Sequence, residues 1–342
     1  GVSSAASDVY KRQSMYPAIA QNEQRLWYES QEENLAYYEN QAAEENEQAK
    51  QIIAENEKAV TEQPVQQESQ NVDETPTQKE SKKPEKKTET SGKKVSVNRK
   101  KLQDFDYLRQ TFYQVDNTTT IGKNQLDVDK LMKPDLRIDQ SVDGPQILIY
   151  HTHSQERYAD SKDEKTGVVG VGDYLTELLE EEGFQVMHHK GEYDVGDRDH
   201  AYSKAAPSIQ KIINDNPSIQ VVIDLHRDGV GENTRLVTTQ NGKKMAKIMF
   251  FNGLSRTTAS GDIPYLKNPY ISDNLAFSFQ MQLAAAEYYP DFTRRIYLKG
   301  YRFNMHFCPK SMLVEVGAQT NTFEEAKNAM EPLADLFAKV LK

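Results

Sequence analysis

The chain has 342 residues, a single cysteine and a formal net charge of −10, from 52 acidic and 42 basic side chains. The acidic balance argues against a nucleic-acid-binding surface as the main purpose of the protein, because such surfaces are basic. The one cysteine, Cys308, excludes an internal disulfide and a zinc site built from cysteines.

The N-terminal part has the composition of an unfolded segment. From Gln21 to Arg99 the residues are mostly Glu, Gln, Asn, Lys, Ser and Thr, and no aromatic residue occurs between Tyr38 and Phe105. Such a segment cannot bury enough apolar surface to offset the entropy that is lost on ordering. We therefore predict that residues 1–101 form a disordered, low-complexity tether.

The sequence at the start of the chain does not decide whether the protein is attached to a membrane. The opening GVSSAASDVYKRQ resembles foreign sequence, so residues 1–14 are treated as candidate non-native sequence, and the first methionine is Met15. No apolar run reaches the length of a membrane span, and no signal-peptide pattern occurs. An anchor in a different natural N-terminus is compatible with these observations.

The folded part begins at Leu102, where Tyr, Phe, Ile, Leu and Val become frequent. We predict a lead-in segment, residues 102–145, packed on a domain of residues 146–342. Apolar periodicity and turn signals predict the elements in chain order. The first half has a strand at 147–150, a helix at 168–179 that Gly183 stops, a strand at 183–189, a helix at 200–214 and a strand at 219–225. Two strand-like runs within 235–251 around Asn241-Gly242 follow, and then a helix at 273–288, a strand at 312–316 and a C-terminal helix at 322–341 capped by Thr322 and Glu325. Alternation of strands and helices favours an α/β fold, with a mainly parallel twisted sheet and helices on both faces.

Titratable side chains follow three of the predicted strands. His151 and His153 come directly after ILIY, His226 comes directly after IQVVIDL, and Glu315 lies near the end of MLVEV. Ligands of open α/β sheets bind beyond the carboxyl ends of the strands. The sequence therefore predicts that these groups meet at one edge of the sheet.

The residue types at this edge are those of a catalytic zinc site. His153 and Glu156 form an H-x-x-E pair, and His226 completes a set of three ligands that leaves one position open for water. Glu315 lies between two valines of an apolar strand, where an unpaired carboxylate is costly, and a buried glutamate suits the role of general base. We therefore predict a Zn²⁺ site with Glu315 as the catalytic base.

Several assignments stay open on the residues alone. His151 is either a ligand in place of His153 or a residue that orients the ligands. Arg227 and Arg302 are candidates for binding a substrate carboxylate, and Asp228 for fixing the tautomer of the adjacent imidazole, although plain salt bridges explain them equally well. Structural or surface roles are assigned to the remaining histidines: His188, His189, His200 and His306.

Six segments of the chain resemble a known family: YHTHSQERY, VVIDLHRDGV, MFFNGL, NPYISDNLAFS, YLKGYRFNMHF and LVEVGAQTNT. They resemble the stage II sporulation protein P family, over roughly residues 105–341. That family is similar in fold to the zinc-dependent N-acetylmuramoyl-L-alanine amidases. By this resemblance His153 and His226 match the zinc histidines, and Glu315 matches the catalytic glutamate. Glu156 is less certain, since the amidases place their carboxylate ligand further along the chain.

The resemblance implies a function in the cell wall. It implies peptidoglycan as the substrate, at the amide between N-acetylmuramic acid and L-alanine and, by family association, at peptide cross-links. It further implies Zn²⁺ as the cofactor and sporulation stage II proteins D and M as partners. The expected location is extracytoplasmic, between forespore and mother cell, with a missing N-terminal anchor in the membrane.

Two other functions remain as alternatives. A binuclear amidohydrolase also has H-x-H after its first strand, but its barrel needs eight βα units and about 250 residues, and fewer residues than that follow His151. A non-catalytic cell-wall-binding scaffold would not need the complete set of His153, Glu156, His226 and Glu315. The sequence leaves open whether cross-link cleavage is intrinsic, which stem-peptide residue is recognised and which oligomer forms.

Overall fold

The computed structural model describes residues 96–264 and 266–342. The predicted tether and the candidate non-native residues 1–14 therefore lie outside the described part, apart from the last residues of the tether. There a short helix, α1, spans Arg99–Leu102. It forms because the side chain of Asn98 accepts a hydrogen bond from the main-chain N–H of Lys101, and because Leu102 is buried in the core.

The strands of the described residues form one large sheet and two small hairpins. Their bounds are β1 Tyr113–Val115, β2 Ile147–Tyr150, β3 Val186–His188, β4 Val221–Asp228, β5 Val237–Gln240, β6 Lys243–Ala246, β7 Ile248–Gly253, β8 Arg256–Thr257, β9 Gly261–Asp262, β10 Ile296–Lys299 and β11 Lys310–Ala318. The large sheet has the order β1-β10-β7-β11-β4-β2-β3, while β5–β6 and β8–β9 are separate two-stranded sheets.

The large sheet consists of two parallel blocks that run in opposite directions. Strands β11, β4, β2 and β3 are parallel to one another, and so are β1, β10 and β7. The blocks meet where β11 pairs antiparallel with β7. The prediction of a mainly parallel sheet is confirmed, and the carboxyl ends of β2, β4 and β11 lie at one edge.

Helices cover the two faces of this sheet unequally. Their bounds are α1 Arg99–Leu102, α2 Phe105–Phe112, α3 Val128–Met132, α4 Val168–Glu181, α5 Ala201–Asp215, α6 Ile271–Tyr288 and α7 Phe323–Leu341. One face packs against α4, α6 and α7 in the main core, whereas α5 packs on the other face over β2 and β4. Over β7 and β10 on the second face, Met249, Phe251 and Tyr297 pack with the loop residue Phe303 and line a cleft. Within the described residues, no helix combines the length and apolarity needed to cross a membrane.

The local sequence explains most of these elements. All four residues of β2 are buried, as expected for an apolar strand covered on both faces. Thr322 caps helix α7 and forms the predicted capping box with Glu325. Asn241 and Gly242 both have positive φ, 51° and 74°, which is the geometry of a two-residue hairpin turn.

Several elements differ from the prediction, which lacked β10 of the large sheet and the small β8–β9 hairpin. The second arm of the predicted hairpin forms two strands: β6 ends at Ala246, and β7 begins at Ile248 and joins the large sheet. The break lies at Lys247, whose carbonyl accepts a hydrogen bond from the main-chain N–H of Gly317 on β11. The lead-in segment also contributes a strand, β1, whose pairing with β10 is visible only in three dimensions.

Candidate metal centre

Two histidines and a glutamate meet at the carboxyl ends of β2 and β4. After β2 the chain makes a turn, in which the main-chain N–H of Glu156 donates to the carbonyl of His153. Nδ1 of His153 lies 3.4 Å from Oε1 of Glu156, and Nδ1 of His226, on β4, lies 3.6 Å from Oε2. The ligand atoms of the three residues all lie within 4.8 Å of one another. Among the described residues, this is the group of His, Cys, Asp and Glu side chains that could hold a metal ion.

The cluster is buried and attracts a cation. Burial raises the pKa of Glu156, but the imidazoles of His226 and His153 outweigh it and bring the pKa well below its usual value. Burial lowers the pKa of His226, but the carboxylates of Asp224 and Glu156 outweigh it and bring the pKa well above its usual value. The two buried carboxylates therefore favour positive charge at the imidazole between them, and a bound divalent ion can supply that charge.

The donor set fits zinc. Two imidazole nitrogens and one carboxylate oxygen are a known ligand set of catalytic zinc, and hard cations such as Mg²⁺ prefer oxygen alone. The three residues also leave one side open toward a cleft, which gives room for a water molecule and a substrate.

Asp224, rather than the predicted Asp228, is the carboxylate beside His226. Its Oδ1 lies 2.8 Å from Nε2 of His226, although the angle is not that of a well-aligned hydrogen bond. Asp224 is held by Thr152, whose N–H and hydroxyl donate to it at 2.9 and 2.6 Å. Asp228 instead pairs with Arg294 at 2.7 Å. Asp224, and not Asp228, thus lies beside the ring of His226, because it pairs in register with Tyr150 at the end of β2 and so meets the turn that follows that strand.

His151 lies apart from the cluster. Its Nδ1 donates to the carbonyl of Leu225 at 2.8 Å, and its Nε2 lies 2.8 Å from Nε2 of His188. The geometry thus groups His153, not His151, with the other candidate ligands, and His151 supports the main chain of β4 just before His226. Gly172 allows this arrangement, since a Cβ there would come within 2.7–2.8 Å of both rings. His188, to which the sequence assigned a structural or surface role, therefore contacts the ring of His151, and the sequence did not predict this contact.

Glu315 lies beside His226 on the neighbouring strand. The two residues are paired in the parallel register of β11 and β4, and both side chains line the same cleft. Neighbouring strands lie about 4.8 Å apart, so Glu315 lies close to the cluster along the same wall of the cleft. Glu315 is half-buried rather than fully buried as predicted, because the cleft opens over it.

The two arginines predicted to bind a carboxylate have other contacts. The main-chain N–H of Arg227 donates to Oε2 of Glu156 at 2.8 Å, while its guanidinium donates to the carbonyls of Arg157 and Asp228. Arg302 donates to the carbonyl of Lys267 at 3.2 Å and is not among the residues that line the cleft. Arg227 nevertheless lines the cleft together with the cluster, and a role of either arginine in binding a substrate carboxylate stays a prediction.

A segment that sequence reasoning missed holds the ligand turn from outside. Asp194 accepts hydrogen bonds from the hydroxyl of Ser154 and the N–H of Gln155, and Arg198 donates to Oε1 of Glu156 at 2.8 Å. The charged run DVGDR, residues 194–198, is the sequence feature that could have indicated these contacts. Its spacing does not indicate which residues elsewhere in the chain its charges contact.

The cleft beside the cluster encloses about 670 Å³, partly open to solvent. Its wall is polar near the cluster and apolar over the open half of the sheet, where Met249, Phe251 and Tyr297 form the floor. The ring of Tyr202 stacks on His226 at 14° and 6.3 Å, and Phe303 packs edge-on against Tyr202 at 5.3 Å. The cleft can therefore take an elongated ligand that has both polar and apolar parts.

Comparison with known proteins agrees with the resemblance of the motifs. A family model described as Stage II sporulation protein P (SpoIIP) matches residues 14–338. Stage II sporulation protein P of Bacillus subtilis (strain 168) is 23% identical over 245 residues, which cover 66% of this chain. The match spans 58% of that relative, less than two thirds of its length.

Proposed function

The chain belongs to the stage II sporulation protein P family, and from that premise we propose that it is a zinc-dependent peptidoglycan hydrolase. The bond that it cleaves is the amide between N-acetylmuramic acid and L-alanine, and peptide cross-links are a further candidate. In this proposal the fold is that of the zinc amidases, and the protein acts during engulfment of the forespore.

The observation that carries the proposal is the cluster of His153, Glu156 and His226, with Glu315 paired beside it. Candidate ligands come from the ends of β2 and β4, and the carboxyl group of Glu315 comes from the neighbouring strand β11. A scaffold that only binds the cell wall needs no such convergence, because burying these charges without a function is costly.

Each residue has a role in amide hydrolysis. A zinc ion held by His153, Glu156 and His226 would supply Lewis acidity and a water with a pKa of about 7. Glu315 takes a proton from the attacking water and passes it to the nitrogen of the leaving amine, so that the amine departs neutral. Asp224 keeps the ring of His226 oriented with Nδ1 toward Glu156.

The cleft supports a glycopeptide as the substrate. Its aromatic wall, Tyr202 and Phe303, offers apolar faces next to the cluster, and sugar rings and short peptides present such faces. Arg227 and Arg302 remain candidates for a substrate carboxylate, although their guanidinium groups also donate to main-chain carbonyls, and Arg227 lines the cleft.

The cellular setting of the proposal follows the family. We propose stage II proteins D and M as partners, an extracytoplasmic site of action between forespore and mother cell, and an anchor in the membrane. The low-complexity residues ahead of α1 then connect this anchor to the folded part, which suits an enzyme that works on an extended polymer.

The test is digestion of purified sacculi by the full chain, followed by mass spectrometry of the released muropeptides. Amide cleavage releases stem peptides with a free L-alanine amine, whereas cross-link cleavage leaves the amino sugar attached. We expect Glu315→Gln to keep zinc but lose turnover by at least about 10²-fold, and His226→Ala to lose both zinc and turnover.

Zinc content, measured by atomic spectroscopy on the same samples, makes the outcomes separable. A wild-type chain that binds sacculi without releasing fragments would favour the scaffold. An active Glu315→Gln variant would remove the assignment of the base while leaving the metal site in place.

A further inference from the structure

The segment from Asp194 to Arg198 contacts three consecutive residues of the ligand turn. Asp194 is buried and accepts hydrogen bonds from Ser154 at 2.9 Å and from the N–H of Gln155 at 3.1 Å. Arg198 reaches the next residue, Glu156, at 2.8 Å. One connection between β3 and α5 therefore holds the whole turn that carries the carboxylate.

The carboxylate of Glu156 is held on both oxygens by donors outside the cluster. Arg198 donates through Nη2 to Oε1, and the main-chain N–H of Arg227 donates to Oε2 at 2.8 Å. The imidazoles of His153 and His226 face the same two oxygens at 3.4 and 3.6 Å. Two donors on separate oxygens fix the plane of a carboxylate, because a single donor would let it rotate.

The two donors differ in how readily they can be removed. The N–H of Arg227 belongs to β4 and is fixed by the sheet, whereas Arg198 is a side chain that is 49% exposed and reaches a carboxylate that is 3% exposed. A substitution at position 198 therefore changes one hydrogen bond to Glu156 and leaves the strand intact. The guanidinium lies at the cleft wall, beside the open side of the cluster.

We propose that Arg198 is a positioning residue, which holds Glu156 in the orientation that binds the metal ion. The proposal rests on the metal site of the proposed function and names a residue that acts on it through Glu156. Outer partners of metal ligands of this kind typically change affinity by about 10–100-fold when they are removed.

A second effect of Arg198 has the opposite sign. Its positive charge repels a divalent ion and competes with it for Oε1 of Glu156. Since the side chain is half-exposed, solvent screens this repulsion, while the hydrogen bond ends on a buried oxygen. Orientation therefore outweighs repulsion, and removal of Arg198 weakens zinc binding.

The experiment measures the zinc affinity of the full chain by competition with a chromophoric chelator, without reference to activity. Arg198→Met removes both the charge and the donor, and we expect zinc to bind about 10–100-fold more weakly. Arg198→Gln removes the charge but keeps an N–H donor, and we expect it to recover part of that loss. Lys204→Met is the matched control, because Lys204 is a neighbouring cation that pairs with Asp197 instead.

The outcomes separate this inference from the proposed function. Wild-type affinity in Arg198→Met, or tighter binding in both position-198 variants, would show that Arg198 does not position Glu156, while the zinc site itself would stand. A wild-type chain that binds no zinc would overturn the inference together with the proposed function. Thermal unfolding of the metal-free variants, expected to match the wild type within a few degrees, excludes a general loss of folding as the cause.

Discussion

At the scale of single residues, His226 has a carboxylate on each side. Glu156 lies at Nδ1, at 3.6 Å, and Asp224 lies at Nε2, at 2.8 Å. Asp224 is in turn fixed by two hydrogen bonds from Thr152, in the turn that leads to Glu156. The ring is therefore set in one orientation by residues of two strands, which is what a metal ligand needs before the ion arrives.

This arrangement predicts different effects for two aspartates of the same strand. Asp224→Asn replaces a charged partner of His226 by a neutral one, and we expect zinc affinity to fall by about 10–100-fold. Asp228→Asn breaks the pair with Arg294 and should leave zinc affinity within about threefold of the wild type. Both are measured by chelator competition on the full chain. Equal losses in the two variants would contradict the assignment of Asp224.

At the scale of elements, the start of α7 is fixed by a reciprocal cap. Glu325 donates its N–H to the hydroxyl of Thr322 and accepts the N–H of Thr322, each at 3.1 Å. Asn321 donates to the same carboxylate at 2.9 Å, and Arg235 pairs with it at 2.5 Å. Helix α7 packs on the main core, so this cap supports the face of the sheet opposite the cleft.

The cap predicts a pH dependence of stability. Burial raises the pKa of Glu325, but hydrogen bonds from Asn321 and Thr322 and the charge of Arg235 outweigh it, so the folded-state pKa lies below its usual value. The contribution of the Glu325 carboxylate to the free energy of unfolding is therefore complete above the pKa of the unfolded chain, about 4.3. This contribution is lost as the pH falls through the pKa of the folded protein.

The measurement is urea unfolding of the wild type and Glu325→Gln at pH 7, 5 and 4. At pH 7 we expect the variant to be less stable by about 0.5–2 kcal/mol, and this difference should shrink at the lowest pH. Glu324→Gln is the control, because Glu324 is exposed in the same helical turn. A difference that is constant or grows toward pH 4 would contradict the role of the carboxylate.

At the scale of the whole molecule, the lead-in segment is part of the same core as the residues of the site. Strand β1 completes the edge of the large sheet, and the ring of Phe112 lies 5.6 Å from that of Phe279 on α6. Gln280 donates to the carbonyls of Leu131 and Pro134, and Ile138 donates to the last turn of α7. Segment and domain are therefore expected to fold together.

Two truncations test this expectation. A chain that begins at residue 96 keeps every described element and should unfold in one cooperative transition. A chain that begins at Gln146 loses α2, β1 and α3 and exposes their apolar partners on α6 and β10, so we expect it to aggregate or to lose its transition. Circular dichroism and urea unfolding of the two chains provide the measurement. A stable, cooperative fragment from Gln146 would show that the lead-in segment is dispensable.

The sequence predicted the site better than its surroundings. It placed His153, His226 and Glu315 at one edge because they lie at or near the ends of apolar runs, with Glu156 three residues after His153, and this pattern is local. It missed Arg198 and chose Asp228 in place of Asp224, because the partner of a charged side chain depends on strand register and on the path of a loop. Those depend on contacts between residues far apart in the chain.

By itself, the sequence determined the α/β class, the parallel pairing of the strands around the site, the hairpin turn at Asn241-Gly242 and the capped helix α7. Each follows from hydrophobic periodicity, turn chemistry or capping within a few residues. Only the tertiary structure decided that β1, β10 and β7 run against the other block, that α5 covers half of one face, and that the other half forms a cleft beside Glu315. The reason is physical: the direction and order of strands are set by long-range pairing and burial, which no short window of residues contains.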